Sequence, residues 1–571
     1  MAPVILATDK TKLAQFSGGK VAYPVYLTIG NIPKATRRKP SKKACVLIAY
    51  LSVDKLDRTK MNDQEHRSRV HRVFHEAMRV ALEPLIKAGN EGVEMIGSNG
   101  AVRRVFPILS CYVADYPEQC LVTCSKYGTC VKCKAKATEL EDIEVRERRT
   151  QEWTQLILEE GREHAGGNAR TFHTYCMSHE VAGGVFRPFW DGFPFCDIHR
   201  AITPDVLHQL YQGVFKHLVG WCQRIFSAQE LDRRIRTLPL GYGLRQFKNG
   251  ISALSQISGS ERKNMAKILL GCLIGKMPTT GIKAVTALLD FIYLAQYTAH
   301  DTITLGYLQQ ALNRFHANRQ YFIDTLVRED FNIPKFHSLL HYIEAIRNFG
   351  TTDNYNTEMF ERLHIEFAKH GWRASNQRDE FPQMIRWLSR QEKIAAFEVH
   401  QKNKVSPQLK DTPGTLPPVT TSKKKPPTSI AKTPNFKNRP ISLIEEKHGA
   451  PDFTHYLKVY MNTFSEGPGR VRDISNLTLP FTKVNTYNMF HLHPEGIQDD
   501  EEESDIVKAV PRSSRLPHGR FDTVVCIVDD NAESTGLDGK RTKALPNQIL
   551  TPTSRYKNWQ SSSYFHSSNT N

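Results

Sequence analysis

Four short apolar runs occupy the first 115 residues, and the first and last of them each end at an aspartate. The sequence PVILATD closes on Asp9, and VFPILSCYVAD closes on Asp115. Between them lie YPVYLTIG (23–30) and ACVLIAYLS (44–52), followed by a helix-period stripe of apolar residues from Val70 to Leu85. Short apolar runs bounded by polar residues predict strands, and the stripe predicts an amphipathic helix. The predicted order is strand, strand, strand, helix, strand.

An aspartate at the end of a strand presents its carboxylate at the sheet edge, where it can face solvent, a metal ion and a substrate. Two such carboxylates on neighbouring strands form an all-oxygen site of the kind that hard cations prefer. The predicted order is also the one that an RNase H-like nuclease core uses, with a third acid arriving later on a helix. The alternative is an ordinary α/β domain, because Asp commonly starts the turn after a strand. The pattern alone leaves both interpretations open.

Helix-period apolar stripes dominate residues 227–328, in KNMAKILLGCLIGKM, IKAVTALLDFIYLAQYTA and GYLQQALNRFHANRQYFIDTLV. They predict a helical bundle set between two parts of another domain. Further along, NYNTEMFERLH predicts a helix that Asn356 or Thr357 caps and that carries Glu358 and Glu361 about one turn apart. Either glutamate can complete a three-acid cation site, although two acids at a helix start also simply stabilise the helix dipole.

A cysteine-rich segment follows Asp115 and ends in a C-x2-C motif at Cys130 and Cys133. Two thiolates at this spacing can share one zinc ion across a tight turn, and the alternative is a set of buried free cysteines. Further zinc ligands would come from Cys120, Cys124, His173, Cys176, His179, Cys196 or His208.

Two further pairs of potential ligands lie on predicted helices. Asp205 and His208 are three residues apart and share a helix face, a spacing more typical of a surface pair than of metal ligands. His337 and His341 lie one turn apart, but no third ligand is near them in the sequence. This isolation favours histidines packed in a core.

Basic residues outnumber acidic ones, 77 to 59, which gives a formal net charge of +18. Such an excess favours a polyanionic partner, most commonly nucleic acid, although plain solubility explains it as well. Part of the excess forms a basic patch before the third predicted strand. A solvated loop or contact with DNA phosphates would account for this patch, which consists of Arg37, Arg38, Lys39, Lys42 and Lys43.

The composition predicts a multidomain intracellular protein. No run of about 18 apolar residues is present, and the first residues lack the pattern of a signal peptide. The segment around Lys423, Lys424 and Lys425 is rich in Pro, Ser, Thr and Lys, which predicts a disordered linker with a nuclear import signal or a DNA tether. We expect a first core part at 1–220 with a Cys-rich knuckle at 120–133, a helical insertion at 221–328, a last core part at 329–400, a disordered linker at 401–445, a small C-terminal region at 446–540 and a disordered tail at 541–571.

In combination, these motifs resemble the Plavaka-type transposases of fungal DNA transposons, relatives of the CACTA and Kyakuja-Dileera-Zisupton groups. The resemblance extends from about Pro3 to Asp538. It is carried by ATDKTKL, YPVYLTIGNIPKATRRKPS, PILSCYVADYPEQCLVTC with CVKC, TPDVLHQLYQGVFKHLV, NIPKFHSLLHYIEAIRNFGTTDNYNTEMFERLHIEFAKHGWRASN and WLSRQE.

The resemblance implies an α/β fold in which an RNase H-like DDE transposase core is interrupted by an all-helical insertion, with a disordered basic linker and a small C-terminal region. It implies that Asp9 and Asp115 are the first two catalytic acids and that a Glu of MFERLH is the third. Glu361 is preferred because related transposases place this acid in an E-R pair, and Glu358 is the alternate.

The resemblance also implies metals and partners. The three acids would hold two Mg²⁺ or Mn²⁺ ions for DNA cleavage and strand transfer. Cys130, Cys133, Asp205 and His208 match the C-x2-C and D-x2-H signatures of such transposases, so His208 is the candidate third ligand for Zn²⁺. Expected partners are transposon-end DNA, target DNA and further copies of the chain, in the nucleus. We expect no ATP requirement, because no motif supports a nucleotide-binding loop.

Three departures from the family pattern predict a truncated or inactive copy. Active relatives usually carry an N-terminal end-recognition region, whereas this sequence begins almost at the first catalytic strand. Relatives also often have a Trp in the insertion, where this chain has SQISGSERKN, and the tail after about Asp538 drifts from the pattern. The alternatives are a catalytically silent DNA-binding remnant and a zinc-stabilised scaffold that binds proteins.

Overall fold

The protein divides into two compact units, residues Met1–Gln408 and Leu409–Asn571. The division falls inside the predicted linker. In the computed structural model, the described residues are 1–14, 19–59, 61–97, 99–239, 244–405, 428–431, 433–448, 452–463, 473–492, 505–510, 520–521, 523–527, 540–544 and 549–552.

A four-stranded sheet lies at the centre of the first unit, in the order β5 (Val46–Tyr50), β4 (Pro24–Ile29), β1 (Ala2–Thr8) and β8 (Pro107–Val113). Strand β1 pairs antiparallel with β4 and parallel with β8, and β4 pairs antiparallel with β5. The four predicted strands are therefore present, and the mixed α/β class is confirmed. The strands of this unit are β1 Ala2–Thr8, β2 Thr11–Lys12, β3 Val21–Ala22, β4 Pro24–Ile29, β5 Val46–Tyr50, β6 Val93–Ile96, β7 Val102–Val105 and β8 Pro107–Val113.

Alternation along β1 places successive side chains on opposite faces of the sheet. Val4 and Leu6 pack in one core with residues of the long helix 63–91. Ile5 and Ala7 pack in a second core with residues of the helix that follows Asn356. Both faces are covered, which explains why the strand is a continuous apolar run in the sequence. Strand β8 alternates in the same way, because Leu6 lies beside Tyr112 and Ala7 beside Val113 in the parallel ladder.

Helices supply most of the remaining secondary structure of the first unit. The long helix α2 begins at a capping box in which Asn62 and Glu65 exchange side-chain and backbone hydrogen bonds. The helices are α1 Lys34–Arg37, α2 Asp63–Glu91, α3 Tyr116–Val122, α4 Gln151–Ala165, α5 Ala169–Ser178, α6 Ile198–Ala201, α7 Lys216–Phe226, α8 Ala228–Thr237, α9 Gly259–Leu273, α10 Thr279–Leu294, α11 Thr302–Asn318, α12 Tyr321–Asp324, α13 Pro334–His337, α14 Tyr342–Phe349, α15 Thr357–Leu363, α16 Gly371–Arg373 and α17 Glu380–Val405.

Several of these helices continue into π-helical or 3-10 segments. Residues Val206–Phe215 form a π-helix that runs directly into α7, and His364–His370 form a π-helix between α15 and α16. The segments Pro40–Lys42, Ser338–His341 and Thr352–Asn354 are 3-10 helices. Helical segments of this kind frequently occur at functional sites.

The helical region from α7 to α14 has its own large core. Its buried residues extend from Val206 to Ile346, beyond the insertion predicted at 221–328 on both sides. The predicted domain boundaries remain predictions. None of the helices in the described part of the chain combines the length and the apolar character that a membrane crossing needs.

In its described residues the second unit is built from short strands and two helices, and some of these elements lie where the sequence predicts a disordered linker and tail. Ile441 and Ile444 are buried beside Val484, so apolar packing orders the C-terminal part of the predicted linker. Strands 540–544 and 549–552 lie where the disordered tail was expected, whereas 406–427 and 553–571 lie outside the described residues. The elements are β9 Thr428–Ile430, β10 Phe436–Pro440, α18 Ile441–His448, α19 Phe453–Thr463, a 3-10 turn Ile474–Asn476, β11 Lys483–Tyr487, β12 Met489–Leu492, β13 Asp505–Val510, β14 Arg520–Phe521, β15 Thr523–Ile527, β16 Lys540–Ala544 and β17 Ile549–Pro552.

Candidate catalytic site and metal cluster

A small cavity lies at the carboxyl ends of β1 and β8, and three acids from distant parts of the sequence face it. We call it the carboxylate cavity. Its volume is about 10 Å³, which is room for roughly one water molecule or ion. The lining residues are Ala7, Thr8, Asp9, Tyr26, Val113, Ala114, Asp115, His208, Thr357, Phe360 and Glu361.

The two aspartates reach this cavity because their strands are parallel neighbours. Asp9 follows β1, and Asp115 follows β8 as the N-cap of α3, where its carboxylate accepts a hydrogen bond of 3.0 Å from the Glu118 backbone N–H. Both residues continue the odd-numbered alternation of Ala7 and Val113. They therefore lie on the sheet face that α15 covers, the helix that carries Glu361.

Glu361 and Glu358 of α15 have different partners, although they lie about one turn apart. Glu361 lines the carboxylate cavity. The Glu358 carboxylate instead lies 2.6 Å from Lys263 Nζ on α9. Of the two glutamates that the sequence left open, the one that faces both aspartates is Glu361.

His208 enters the same cavity and is held by a buried aspartate. Its Nδ1 lies 2.7 Å from Asp205 Oδ2, and its Nε2 lies 3.4 Å from Glu361 Oε1. Asp205 itself is buried and accepts a hydrogen bond of 2.7 Å from the Thr357 hydroxyl of α15. The D-x2-H pair is thus not the surface pair that its spacing suggested.

Burial and mutual charge shift the pKa values in this cavity. Burial raises the pKa of Glu361 to about 7, with Asp9, Asp205 and Glu358 acting in the same direction and His208 opposing them. Burial also raises the pKa of Asp115. For His208, burial lowers the pKa, but the hydrogen bond and charge of Asp205 and the nearby acids outweigh it and raise the pKa to about 9. Neighbouring carboxylates repel one another when both are ionised, so a cation bound between them is favoured.

His364 is a site residue that the sequence analysis missed. It lies three residues after Glu361, in the π-helical continuation of α15. Its Nε2 donates to Asp9 Oδ2 at 3.2 Å, and its Nδ1 lies 2.9 Å from the Tyr26 hydroxyl. Its i+3 spacing from Glu361 was the available signal, because residues three apart on a helix share a face.

Glu118 is a second missed residue, and it lies behind the cavity. Its carboxylate accepts hydrogen bonds from Thr8 Oγ1, at 2.5 Å, and from the Tyr23 hydroxyl. The Tyr112 hydroxyl lies 2.8 Å from the same Thr8 oxygen. Burial raises the pKa of Glu118 to about 7, while the hydrogen bonds from Thr8 and Tyr23 lower it. This network ties the end of β1 to α3.

Four potential metal ligands converge elsewhere in the first unit, in what we call the thiol–imidazole cluster. It consists of Cys130, Cys133, His337 and His341, all buried, with ligand atoms within 4.8 Å of one another. His341 Nε2 lies 3.2 Å from Cys130 Sγ, and His337 Nε2 lies 3.2 Å from Cys133 Sγ. Two thiols and two imidazoles form a donor set that could bind zinc.

The surroundings of the cluster orient its ligands. His337 Nδ1 donates to the Leu140 carbonyl at 3.1 Å, which turns Nε2 towards the thiols. The Arg149 guanidinium donates to the Cys133 carbonyl at 3.0 Å. A hydrogen bond from Cys130 lowers the pKa of the Cys133 thiol; burial opposes this shift, and hydrogen bonds from the two histidines add to it. The thiolate that this favours is the metal-binding form.

The cluster corrects the predicted zinc ligands. The D-x2-H signature implies His208 as the third ligand, but His208 lies in the carboxylate cavity, and the histidines that face the two thiols are His337 and His341. These two were interpreted as core residues because no third ligand was near in sequence. The fold brings the cysteines to them across about two hundred residues of chain, a distance that spacing cannot reveal.

The basic patch predicted for DNA contact is partly structural. The Arg37 side chain is buried, and its guanidinium donates to the Ile32 carbonyl and to Asn354 Oδ1, each at 2.9 Å. Arg38 Nη1 lies 3.0 Å from Asp353 Oδ2. The DNA-binding assignment of Arg37 is therefore corrected, because its donors are used within the protein. Lys39 is half-buried, and Lys42 and Lys43 are exposed.

The fold and its donor sets define a mixed α/β protein with an acidic cavity suited to hard cations and a buried cluster suited to a softer one. Residues 1–222 match a family model described as Plavaka transposase, which confirms the resemblance found in the sequence. This match covers less than half of the chain and supports a Plavaka-type transposase, a family that implies DNA binding and metal dependence. Residues 397–561 match a domain of unknown function, DUF6830. No curated protein matches the chain.

Proposed function

We propose that this protein is a DDE transposase that cleaves DNA strands at transposon ends and joins them to target DNA. The observation that carries the proposal is the meeting of Asp9, Asp115 and Glu361 around one cavity. These acids come from two strand ends and a helix separated by hundreds of residues. Three carboxylates around one cavity, with the pKa values of two of them raised, fit the ligand set of Mg²⁺ or Mn²⁺.

The sheet topology supports an RNase H-like core for this function. Three antiparallel strands in the order β5-β4-β1, with β8 parallel to β1, match the arrangement that the sequence pattern suggested. The third acid arrives on α15, after the helical region. The helical region interrupts the chain between the second and third acids, as an insertion in such a core would.

In this proposal Asp9, Asp115 and Glu361 hold the catalytic cations. When bound, Mg²⁺ supplies an activated oxygen nucleophile and stabilises the leaving oxygen of the DNA strand. His364 donates to Asp9 and so fixes the orientation of that carboxylate. Asp205 holds His208 so that Nε2 points into the carboxylate cavity. Because its pKa is raised to about 9, His208 is a cation at neutral pH and can donate to an anionic phosphate oxygen.

The thiol–imidazole cluster is proposed to hold one structural Zn²⁺. Tetrahedral zinc with bonds of about 2.0–2.3 Å separates its ligand atoms by roughly 3.3–3.8 Å. The two Sγ–Nε2 distances of 3.2 Å are close to this range. The ion would join the C-x2-C turn to the segment of α13 and the following 3-10 helix. Four protein ligands leave no open position, so this site has no role in the chemistry.

The proposed partners follow from the same function. DNA, as transposon ends and target, would lie against a surface that includes Lys39, Lys42 and Lys43, and the net charge of +18 favours it. From the resemblance in the sequence we also propose that several copies of the protein assemble and that it acts in the nucleus.

The test is nicking of labelled duplex DNA by the purified protein with Mg²⁺ or Mn²⁺. We expect Glu361→Gln to abolish nicking and Glu358→Gln to retain it, since Glu358 pairs with Lys263 outside the carboxylate cavity. The Asp115→Asn variant tests the second acid in the same assay. Loss of activity in Glu358→Gln alone would contradict the assignment. A wild-type protein that binds DNA without nicking it would be the catalytically silent remnant.

A further inference from the structure

A second, larger cavity begins next to the carboxylate cavity, and we call it the flank pocket. Its volume is about 540 Å³, within the range of about 300–1,000 Å³ typical of ligand sites. It lies between the segment that follows β5 and one face of α2. Its floor is apolar and is formed by Val70, Val73, Phe74, Ala77 and Leu121.

The rim of the flank pocket is cationic. Lys10, Lys55 and Arg58 line it and are exposed. Among the described residues that line the pocket, the single acid is Asp54, whose carboxylate accepts a hydrogen bond of 3.1 Å from Ser52. An apolar floor under a positive rim is complementary to a ligand with a flat apolar body and an anionic backbone. Nucleotides have this composition, since bases stack on apolar side chains and phosphates attract cations.

The flank pocket and the carboxylate cavity lie towards opposite faces of the sheet, and consecutive residues just after β1 line them. Lys10 follows Asp9 directly, and its Nζ lies 4.6 Å from the centre of the Tyr23 ring. The Tyr23 hydroxyl donates to Glu118, which also accepts from Thr8, a lining residue of the carboxylate cavity. Because Asp9 and Lys10 are consecutive, their Cα atoms lie about 3.8 Å apart. A DNA strand positioned for cleavage at Asp9 would therefore have a neighbouring nucleotide within reach of Lys10 on the pocket rim.

We propose that the flank pocket binds an unpaired nucleotide of the DNA strand, next to the phosphodiester that is cleaved. The inference rests on the proposed function for its position, and on the pocket's own residues for the chemistry of the ligand. A base within a duplex is stacked and paired, so it cannot reach an apolar floor behind a cationic rim. An unpaired base can enter the pocket while Lys10, Lys55 and Arg58 hold its phosphates.

The experiment compares two DNA probes on the full-length protein in buffer without Mg²⁺ or Mn²⁺. One probe is a blunt fluorescent duplex, and the other is the same duplex with a short single-stranded extension. Val73→Trp fills the pocket from the helix surface, where Val73 is 37% exposed, and Lys55→Glu reverses a rim charge. The matched controls lie on the same helix outside the pocket: Val80→Trp, at a position 73% exposed, and Lys87→Glu.

We expect Val73→Trp, which displaces roughly one stacked base, and Lys55→Glu, which removes a phosphate contact, each to weaken binding of the extended probe by about tenfold. Blunt-duplex affinity should stay within about twofold of wild type, and Val80→Trp and Lys87→Glu should bind both probes normally. Equal binding of the extended probe by Val73→Trp and Val80→Trp would overturn the proposal. An equal loss for both probes in Val73→Trp would also overturn it, because the pocket would then not select unpaired DNA. Binding is measured without cleavage, so a catalytically silent wild type would contradict the proposed function alone.

Discussion

The carboxylate cavity and the thiol–imidazole cluster both bring together side chains from distant parts of the chain, but they use different donor atoms. Each joins an early part of the chain, before residue 134, to a helix after residue 333. The cavity gathers oxygen donors and keeps them partly exposed, with the Asp9 side chain 43% exposed. The cluster gathers sulfur and nitrogen donors and buries all four. The exposed oxygen site suits cations that must meet a substrate, whereas the buried site suits an ion that holds the fold.

The difference in burial predicts that substitutions in the two sites have different effects on activity and stability. Loss of a carboxylate in the cavity should abolish DNA nicking and leave the fold intact. Loss of a ligand in the cluster should remove stability first. The following predictions test this separation, beginning with the largest expected effect.

Replacement of Asp115 by Asn should reduce the rate of DNA nicking by at least about a thousandfold, or about 4 kcal/mol of transition-state stabilisation. The physical reason is the loss of one of three anionic ligands in the carboxylate cavity. The rate is measured with labelled duplex and saturating Mg²⁺ or Mn²⁺. Zinc content and thermal midpoint should match wild type. A parallel loss of zinc would show that the two sites are not independent.

Replacement of Cys133 by Ser should abolish zinc binding and lower the thermal midpoint by about 5 °C or more. The variant leaves three ligands and a buried hydroxyl where a thiolate stood. Metal analysis and thermal unfolding of purified protein measure both effects. Cys120→Ser is the matched control, a buried cysteine of the same segment outside the cluster. Zinc that persists in Cys133→Ser but disappears in Cys120→Ser would reject the cluster assignment.

Replacement of His208 by Ala should reduce nicking by roughly a hundredfold, the effect of removing one charged donor from a transition state. Zinc content should not change, because His208 lies outside the cluster. The result distinguishes a role of His208 in the carboxylate cavity from the role as a zinc ligand that the D-x2-H signature implies. Loss of zinc in this variant would restore His208 as a zinc ligand.

The Asp205→Asn variant extends the same test to pH. The raised pKa of His208, about 9, means that the imidazolium is present below that pH and is lost as the pH rises through it. Without the Asp205 charge the pKa should fall towards the ordinary value, so the alkaline limit of nicking should move to lower pH. The measurement is kcat against pH for both proteins. An unchanged alkaline limit would exclude His208 as the titrating donor.

The smallest expected effect is on the free energy of unfolding in the absence of Mg²⁺ and Mn²⁺. The folded-state pKa of Glu361, about 7, lies above its ordinary value of 4.5, so ionisation costs stability increasingly as pH rises from 4.5 to 7. Glu361→Gln removes this cost. At pH 8 we expect a gain of about 1 kcal/mol in unfolding free energy, reduced by solvent screening because the side chain is 36% exposed. Denaturant unfolding in Mg²⁺-free buffer measures it, and a much smaller gain at pH 5 than at pH 8 serves as the internal control.

The local pattern of the sequence determined much of the sheet and the position of an aspartate after two of its strands. The apolar runs that end at Asp9 and Asp115 are strands, because a strand buried on both faces must be apolar throughout. The order of the four sheet strands and α2 along the chain can be read from the sequence for the same reason, whereas the short strands β6 and β7 between α2 and β8 were not predicted. Capping chemistry likewise places the start of α15 at Asn356, one of the two caps that the sequence allowed.

Only the tertiary structure decided which side chains meet. The choice of Glu361 over Glu358 depends on which face of α15 packs against β1, and Lys263 of a distant helix takes the other glutamate. The pairing of Cys130 and Cys133 with His337 and His341 depends on how the chain returns after the helical region. Arg37 is a structural residue because Asn354 arrives beside it. Contacts across hundreds of residues are determined by packing of whole elements, and local spacing carries no information about them.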